Sequence, residues 1–109
     1  MKKFELTDET IVHNGITLYR IRCTVSFKSI NAGDLGGFIE KIDNISGNAW
    51  VSGNAEVYGN AEVSGNAWVS GNAEVSGNAM VSGNAMVSGN AWVSGGFIVT
   101  GKQIGRAHV

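Results

Sequence analysis

The chain has 109 residues, a net charge of −1 and 16% charged residues. That length makes one domain, and so balanced a charge leaves no electrostatic footprint for nucleic acid or an anionic membrane surface. The lone Cys23 excludes an internal disulfide, and no apolar run approaches the roughly 18 residues of a membrane helix.

Residues 1–8 carry no apolar core of the signal-peptide kind, which points to the cytoplasm or to a phage particle. Residues 1–38 form the first segment. Phe4, Leu6, Ile11, Ile16, Leu18, Ile21, Val25 and Phe27 supply spaced apolar positions. Asn14-Gly15, between residues 10–13 and 16–20, is the pattern of a type I′ turn in a two-residue hairpin. The second strand is expected to continue to Val25. Cys23 reads as a small buried hydrophobe. An isolated hairpin is marginal in water, so this one is expected to cover something. Residues 31–37 are turn-rich and lead into the next segment.

Residues 39–101 are built on a hexapeptide. Gly-Asn-Ala occurs eight times, starting at Gly47, Gly53, Gly59, Gly65, Gly71, Gly77, Gly83 and Gly89, and each copy is followed by one variable residue and then Val. Ala and Val stand two apart, so on a strand they share a face, and the variable residue takes the other. Gly-Asn suits a bend, because both residues tolerate positive φ. Each unit is therefore a short strand and a corner, and a stack of such units is a parallel β-helix with Val and Ala inside. The phase extends without a break from Ile39 and Ile45 through the valines to Val99, eleven β-branched residues six apart. Phe97 occupies a small-residue position, where a phenyl ring overfills a narrow core, so it marks an end or an irregular coil.

The hexapeptide Val51-Ser-Gly-Asn-Ala-Glu56 resembles the motif of left-handed β-helix proteins, in which an aliphatic residue recurs every six with a small residue two before it. With Asp34-Leu-Gly-Gly-Phe-Ile-Glu40 ahead of it, the repeat is similar to that of small bacterial and phage proteins often labelled acyltransferase-like. The resemblance implies an all-β, single-stranded left-handed parallel β-helix of about three coils. Each coil has three hexapeptides, and the hairpin caps the N-terminal one, since the end of a solenoid presents an open core and an unpaired edge. Handedness rests on the resemblance alone, because parallel crossovers in general are right-handed.

Residues 102–109 depart from the repeat. From Gln103 to Val109 the chain resembles the translation of a common sequencing adapter, so this tail is kept out of the fold reasoning.

Coils of eighteen residues would stack the variable positions in columns: Trp50, Trp68 and Met86; Glu56, Glu74 and Trp92; Glu62 and Met80. Trp50, Trp68, Met86 and Trp92 are the candidate interface residues, because an exposed aromatic stripe suits association. The alternative is that repeats copy outward residues and the rings cover one another. Glu56 above Glu74 sets like charges in register. No catalytic or metal-binding residue stands out. His13, beside the hairpin turn, reads as exposed, and His108 lies in the tail.

The sequence thus points to a non-catalytic structural or assembly module without a cofactor. Its expected partners are further copies of the chain, in a trimer or other homo-oligomer, or another protein at the Trp face. Neither nucleic acid nor membrane is among them. The resemblance leaves a hexapeptide-repeat acyltransferase using acyl-coenzyme A as the alternative. A surface-binding module for ice or glycan is the third reading.

Overall fold

A computed structural model describes residues 3–101 and the backbone of Gln103–Ile104. The chain is an all-β solenoid of about four turns preceded by a hairpin. The hairpin is β1 (Phe4–His13) and β2 (Ile16–Cys23), joined by Asn14-Gly15 with φ of 53° and 80°. Next come β3 (Leu35–Ile39) and a short 3-10 turn at Ile42–Asn44. The solenoid strands are β4 (Trp50–Val51), β5 (Glu56–Val57), β6 (Glu62–Val63), β7 (Trp68–Val69), β8 (Glu74–Val75), β9 (Met80–Ser82), β10 (Met86–Val87), β11 (Trp92–Val93), β12 (Ile98–Thr100) and β13 (Gln103–Ile104).

These strands pair in parallel, each with the strand eighteen residues on: Trp50 with Trp68, Glu56 with Glu74, Glu62 with Met80. Every third strand thus belongs to one sheet, and three sheets enclose the core. Val51, Val57, Val63 and their successors to Val99 are fully buried, with the Ala column from Ala49 to Ala91 beside them. The corners stack too. Asn48 N–H donates to Gly65 O at 2.9 Å, and Asn66 N–H to Gly83 O at 2.8 Å. Of the Gly-Asn pair, only the glycine takes positive φ, 61° to 71° from Gly47 to Gly89. The glycine is needed for a second reason: a Cβ on Gly65 would meet Gly83 N at 2.9 Å.

The first coil has no Gly-Asn corner after β3. Asn44, fully buried, replaces it with side-chain bonds. Its Oδ1 accepts from the N–H groups of Glu40 and Lys41 at 3.1 and 2.9 Å, and its Nδ2 donates to Ala61 O at 2.8 Å. At the other end Phe97 is 43% exposed, in keeping with a ring that does not fit the narrow core. Gln103 pairs with Met86 and Ile104 with Val87, so the chain rejoins its sheet one residue short of the eighteen-residue step. Residues 102–109 were expected to leave the repeat entirely, but the backbone of Gln103–Ile104 still adds a strand. The rest of that tail lies outside the described residues.

The hairpin does more than the alternating pattern foretold. β1 extends back to Phe4, well before residue 10, and β2 stops at Cys23, short of Val25. β2 pairs antiparallel with β3, which places the hairpin at the N-terminal edge of the sheet β3-β5-β8-β11. Two register shifts interrupt it, between Leu6 and Thr10 and between Arg20 and Arg22. Such bulges bend a strand. Cys23 is buried, as expected of a small hydrophobe.

Candidate functional site

The bent hairpin carries its tip beyond Ile39 and down the outer face of β5 and β8. Leu18, Phe38 and Tyr58 form a buried apolar cluster there, with Ile11 and Ile16 packed against it. Arg20 fastens the middle of the hairpin. Its guanidinium lies 4.3 Å from the Phe38 ring centroid, Nη1 donates to Gly36 O at 2.7 Å, and Nε stands 2.9 Å from Glu9 Oε2.

At the tip, His13 sits between the two stacked glutamates. Nδ1 is 3.1 Å from Glu56 Oε1, and Nε2 is 3.6 Å from Glu74 Oε1. The Tyr58 hydroxyl donates to Glu74 Oε2 at 2.9 Å, and its ring lies 5.5 Å from the imidazole. Glu56 Oε1 is closed off from solvent and accepts no hydrogen bond. Burial raises the Glu56 carboxyl above its usual range; His13 opposes that rise and Glu74 adds to it. Burial, together with the bond to Glu74, pushes the Tyr58 phenol up to about 12.

His13, read from sequence as an exposed turn residue, is thus half-buried, with its side chain 33% accessible. The like-charge contact between Glu56 and Glu74 has a mediator that the columns alone could not reveal. One signal was available. Tyr58 stands where the neighbouring units have Ser, and a tyrosine breaking a serine column marks a place where something packs on the face.

The expected Trp column is only partly open. Trp50 is 2% exposed, because the segment leading into the solenoid covers it. Phe27 meets its ring edge-on at 5.9 Å, and Gly36 approaches so closely that a Cβ there would lie 2.8 Å from the indole. Trp50 is therefore a packing residue and is withdrawn from the surface stripe. Trp68 is half-buried, its Nε1 donating to Ser52 Oγ at 2.9 Å. Met86 and Trp92 are each 40% exposed, and Met80 and Ile98 stand exposed in the third column. A polar depression of about 430 Å³ lies at Lys41, Asp43, Ser46, Asn60, Ala61 and Glu62, with neither histidine nor cysteine in its lining. No helix among the described residues is long and apolar enough to cross a membrane.

Residues 55–71, 73–88 and 81–95 match the family model of the YdcK β-solenoid repeat. The match falls on the regular rungs and leaves out the hairpin and the first coil, which hold His13 and Asn44. No curated protein matches the chain.

Proposed function

We propose that the chain is a non-catalytic β-solenoid module of bacterial or phage origin, wound left-handed, with the hairpin as its N-terminal cap. In this reading its outward face serves self-association or the docking of a protein partner, in the cytoplasm or in a phage particle. The observation that carries the reading is the unbroken stack. From Val51 to Val93 each rung repeats the last, and between Ile39 and Val99 no loop leaves the solenoid to shape a substrate pocket. Rungs held by continuous backbone ladders make a regular stack in which each coil contacts its neighbours, which suits a scaffold. His13, the one histidine among the described residues, is packed between carboxylates beneath Tyr58. A general base needs room for a substrate proton within hydrogen-bond reach.

Sedimentation velocity on the chain tests the proposal, with Met86→Ser and Trp92→Ser as the surface variants. Self-association that weakens in both variants is expected. A monomer at all concentrations that also captures no protein partner would remove the assembly role. Calorimetric titration with acetyl-coenzyme A addresses the acyltransferase alternative, and micromolar binding would displace the non-catalytic reading.

A further inference from the structure

We propose that His13, Glu56 and Glu74 form a binding site for a divalent transition cation of the zinc class, which clamps the hairpin tip to two rungs of the solenoid. One donor atom from each of the three lies within 4.8 Å of the others. Tetrahedral metal–ligand bonds of about 2.0–2.2 Å place neighbouring donors about 3.3–3.6 Å from one another. His13 Nδ1 stands 3.1 Å from Glu56 Oε1, close to that spacing, whereas Glu74 Oε1 faces the other ring nitrogen, Nε2, at 3.6 Å. Since one imidazole nitrogen binds the metal, the imidazole or Glu74 turns, within the 4.8 Å span of the three donors, to complete the set.

The donor types select the metal. An imidazole nitrogen with two carboxylates suits zinc and its first-row neighbours, whereas magnesium and calcium favour all-oxygen shells of six or more ligands. Charge points the same way. Glu56 and Glu74 are paired in register, and among the described residues no lysine or arginine forms an ion pair with either. Two ionised carboxylates and a neutral imidazole carry a charge of two, which a divalent cation cancels.

A separate observation indicates a missing electrophile. Glu56 Oε1 is shut off from water, and what stands against it is His13 Nδ1 at 3.1 Å without hydrogen-bond geometry; a cation held between the two would meet a buried oxygen that is otherwise costly. Tyr58 supplies the outer support that metal ligands usually have, since its hydroxyl holds Glu74 Oε2 and leaves Oε1 turned to His13. The frame is rigid: two ligands sit on ladder-bonded rungs, and the third directly precedes the Asn14-Gly15 turn.

The test is calorimetric titration of the full chain, cleared of metal with chelator, with zinc sulfate. One equivalent should bind, and the melting temperature should rise in parallel, because a ligand held only by the folded state stabilises it. His13→Ala and Glu74→Gln should each weaken binding at least tenfold while circular dichroism shows them folded. His108→Ala, which alters the other histidine, should leave binding unchanged. Cobalt(II) added to the unaltered chain gives a reading that needs no variant: a visible band of a nitrogen–oxygen site is expected. Absence of zinc binding, binding indifferent to His13→Ala and Glu74→Gln, binding lost in His108→Ala, or a cobalt spectrum equal to that of the aqueous ion would each overturn the proposal.

Discussion

At the scale of single residues, the corners and the tyrosine make separable contributions. A left-handed backbone costs an L-residue about 1–2 kcal/mol, so Gly95→Ala, where φ is 63° and nothing lies within 4 Å of the added Cβ, should cost only that. Gly65→Ala has nearly the same φ, 64°, but adds a contact of 2.9 Å with the backbone of Gly83. Its cost should be larger, on the order of 3 kcal/mol, since backbone on both sides prevents relief. Urea midpoints of the two variants measure the difference, and equal midpoints would mean that corner stacking contributes nothing. Tyr58 makes a pH prediction. Its phenol titrates at about 12 in the fold against 10.0 as the ordinary value. A raised pKa means that the unfolded chain gives up its proton first. The stabilisation is therefore complete below pH 10 and disappears as pH rises through 12. In metal-free protein, the fall in stability from pH 10 to 12 should be shallower in Tyr58→Phe, as read by urea unfolding at each pH. The corners were legible in the sequence because a glycine at every sixth position fits a recurring bend and little else. The partners of Tyr58 were not, since no local pattern says which distant strand will cover a column.

At the scale of elements, the core and its first coil differ in how they are secured. Burying a Val side chain contributes about 1.5–3 kcal/mol, and Val69 sits mid-stack with neighbours above and below. Val69→Asp would bury an unpaired carboxylate there and should unfold the chain, as loss of the β-sheet signal in circular dichroism would register. A variant with an unchanged melting temperature would contradict the inward assignment of the Val column. Asn44 secures a coil that lacks the usual corner. Asn44→Ala orphans the Lys41 N–H and Ala61 O, while the Glu40 N–H keeps its bond to Val57 O, and each unmet buried group costs about 1–3 kcal/mol. A loss of about 3 kcal/mol in thermal or urea unfolding is expected, whereas Asn48→Ala, whose side chain is exposed, should cost far less. The solenoid strands could be read because their period is rigid. The course of the hairpin could not, because two bulges redirect it, and bulges come from pairing between strands rather than from either strand alone. That redirection brings His13 to Glu56, while the segment after the hairpin buries Trp50 behind Phe27 and Gly36.

At the scale of the whole molecule, the controlling quantity is the eighteen-residue turn. Repeat arrays gain stability from each unit and from its contact with the next. The interior rungs here are nearly interchangeable: every Val and Ala of the repeat from Val51 to Val93 is buried to the same extent, and the pairing step is constant from β3 to β12. Copying residues 71–88 and inserting the copy after Ser88 therefore preserves phase, corners and core at both junctions. It leaves Glu56 above the original Glu74, and so leaves the hairpin its docking face. The longer chain should fold, melt at a higher temperature, and lengthen along the solenoid axis by about 4.8 Å, one strand spacing. An insertion of a single alanine after Val75 does the reverse, because a one-residue slip turns an inward set of side chains outward. That variant should lose several degrees of melting temperature. The backbone pairing of Gln103 with Met86 steps by seventeen residues, where the pairing of Ile98 with Met80 steps by eighteen. Small-angle scattering and thermal unfolding of the two insertions decide the matter: if the eighteen-residue insertion were the more damaging of the two, the coils would not be equivalent and the solenoid could not be treated as a stack of independent turns.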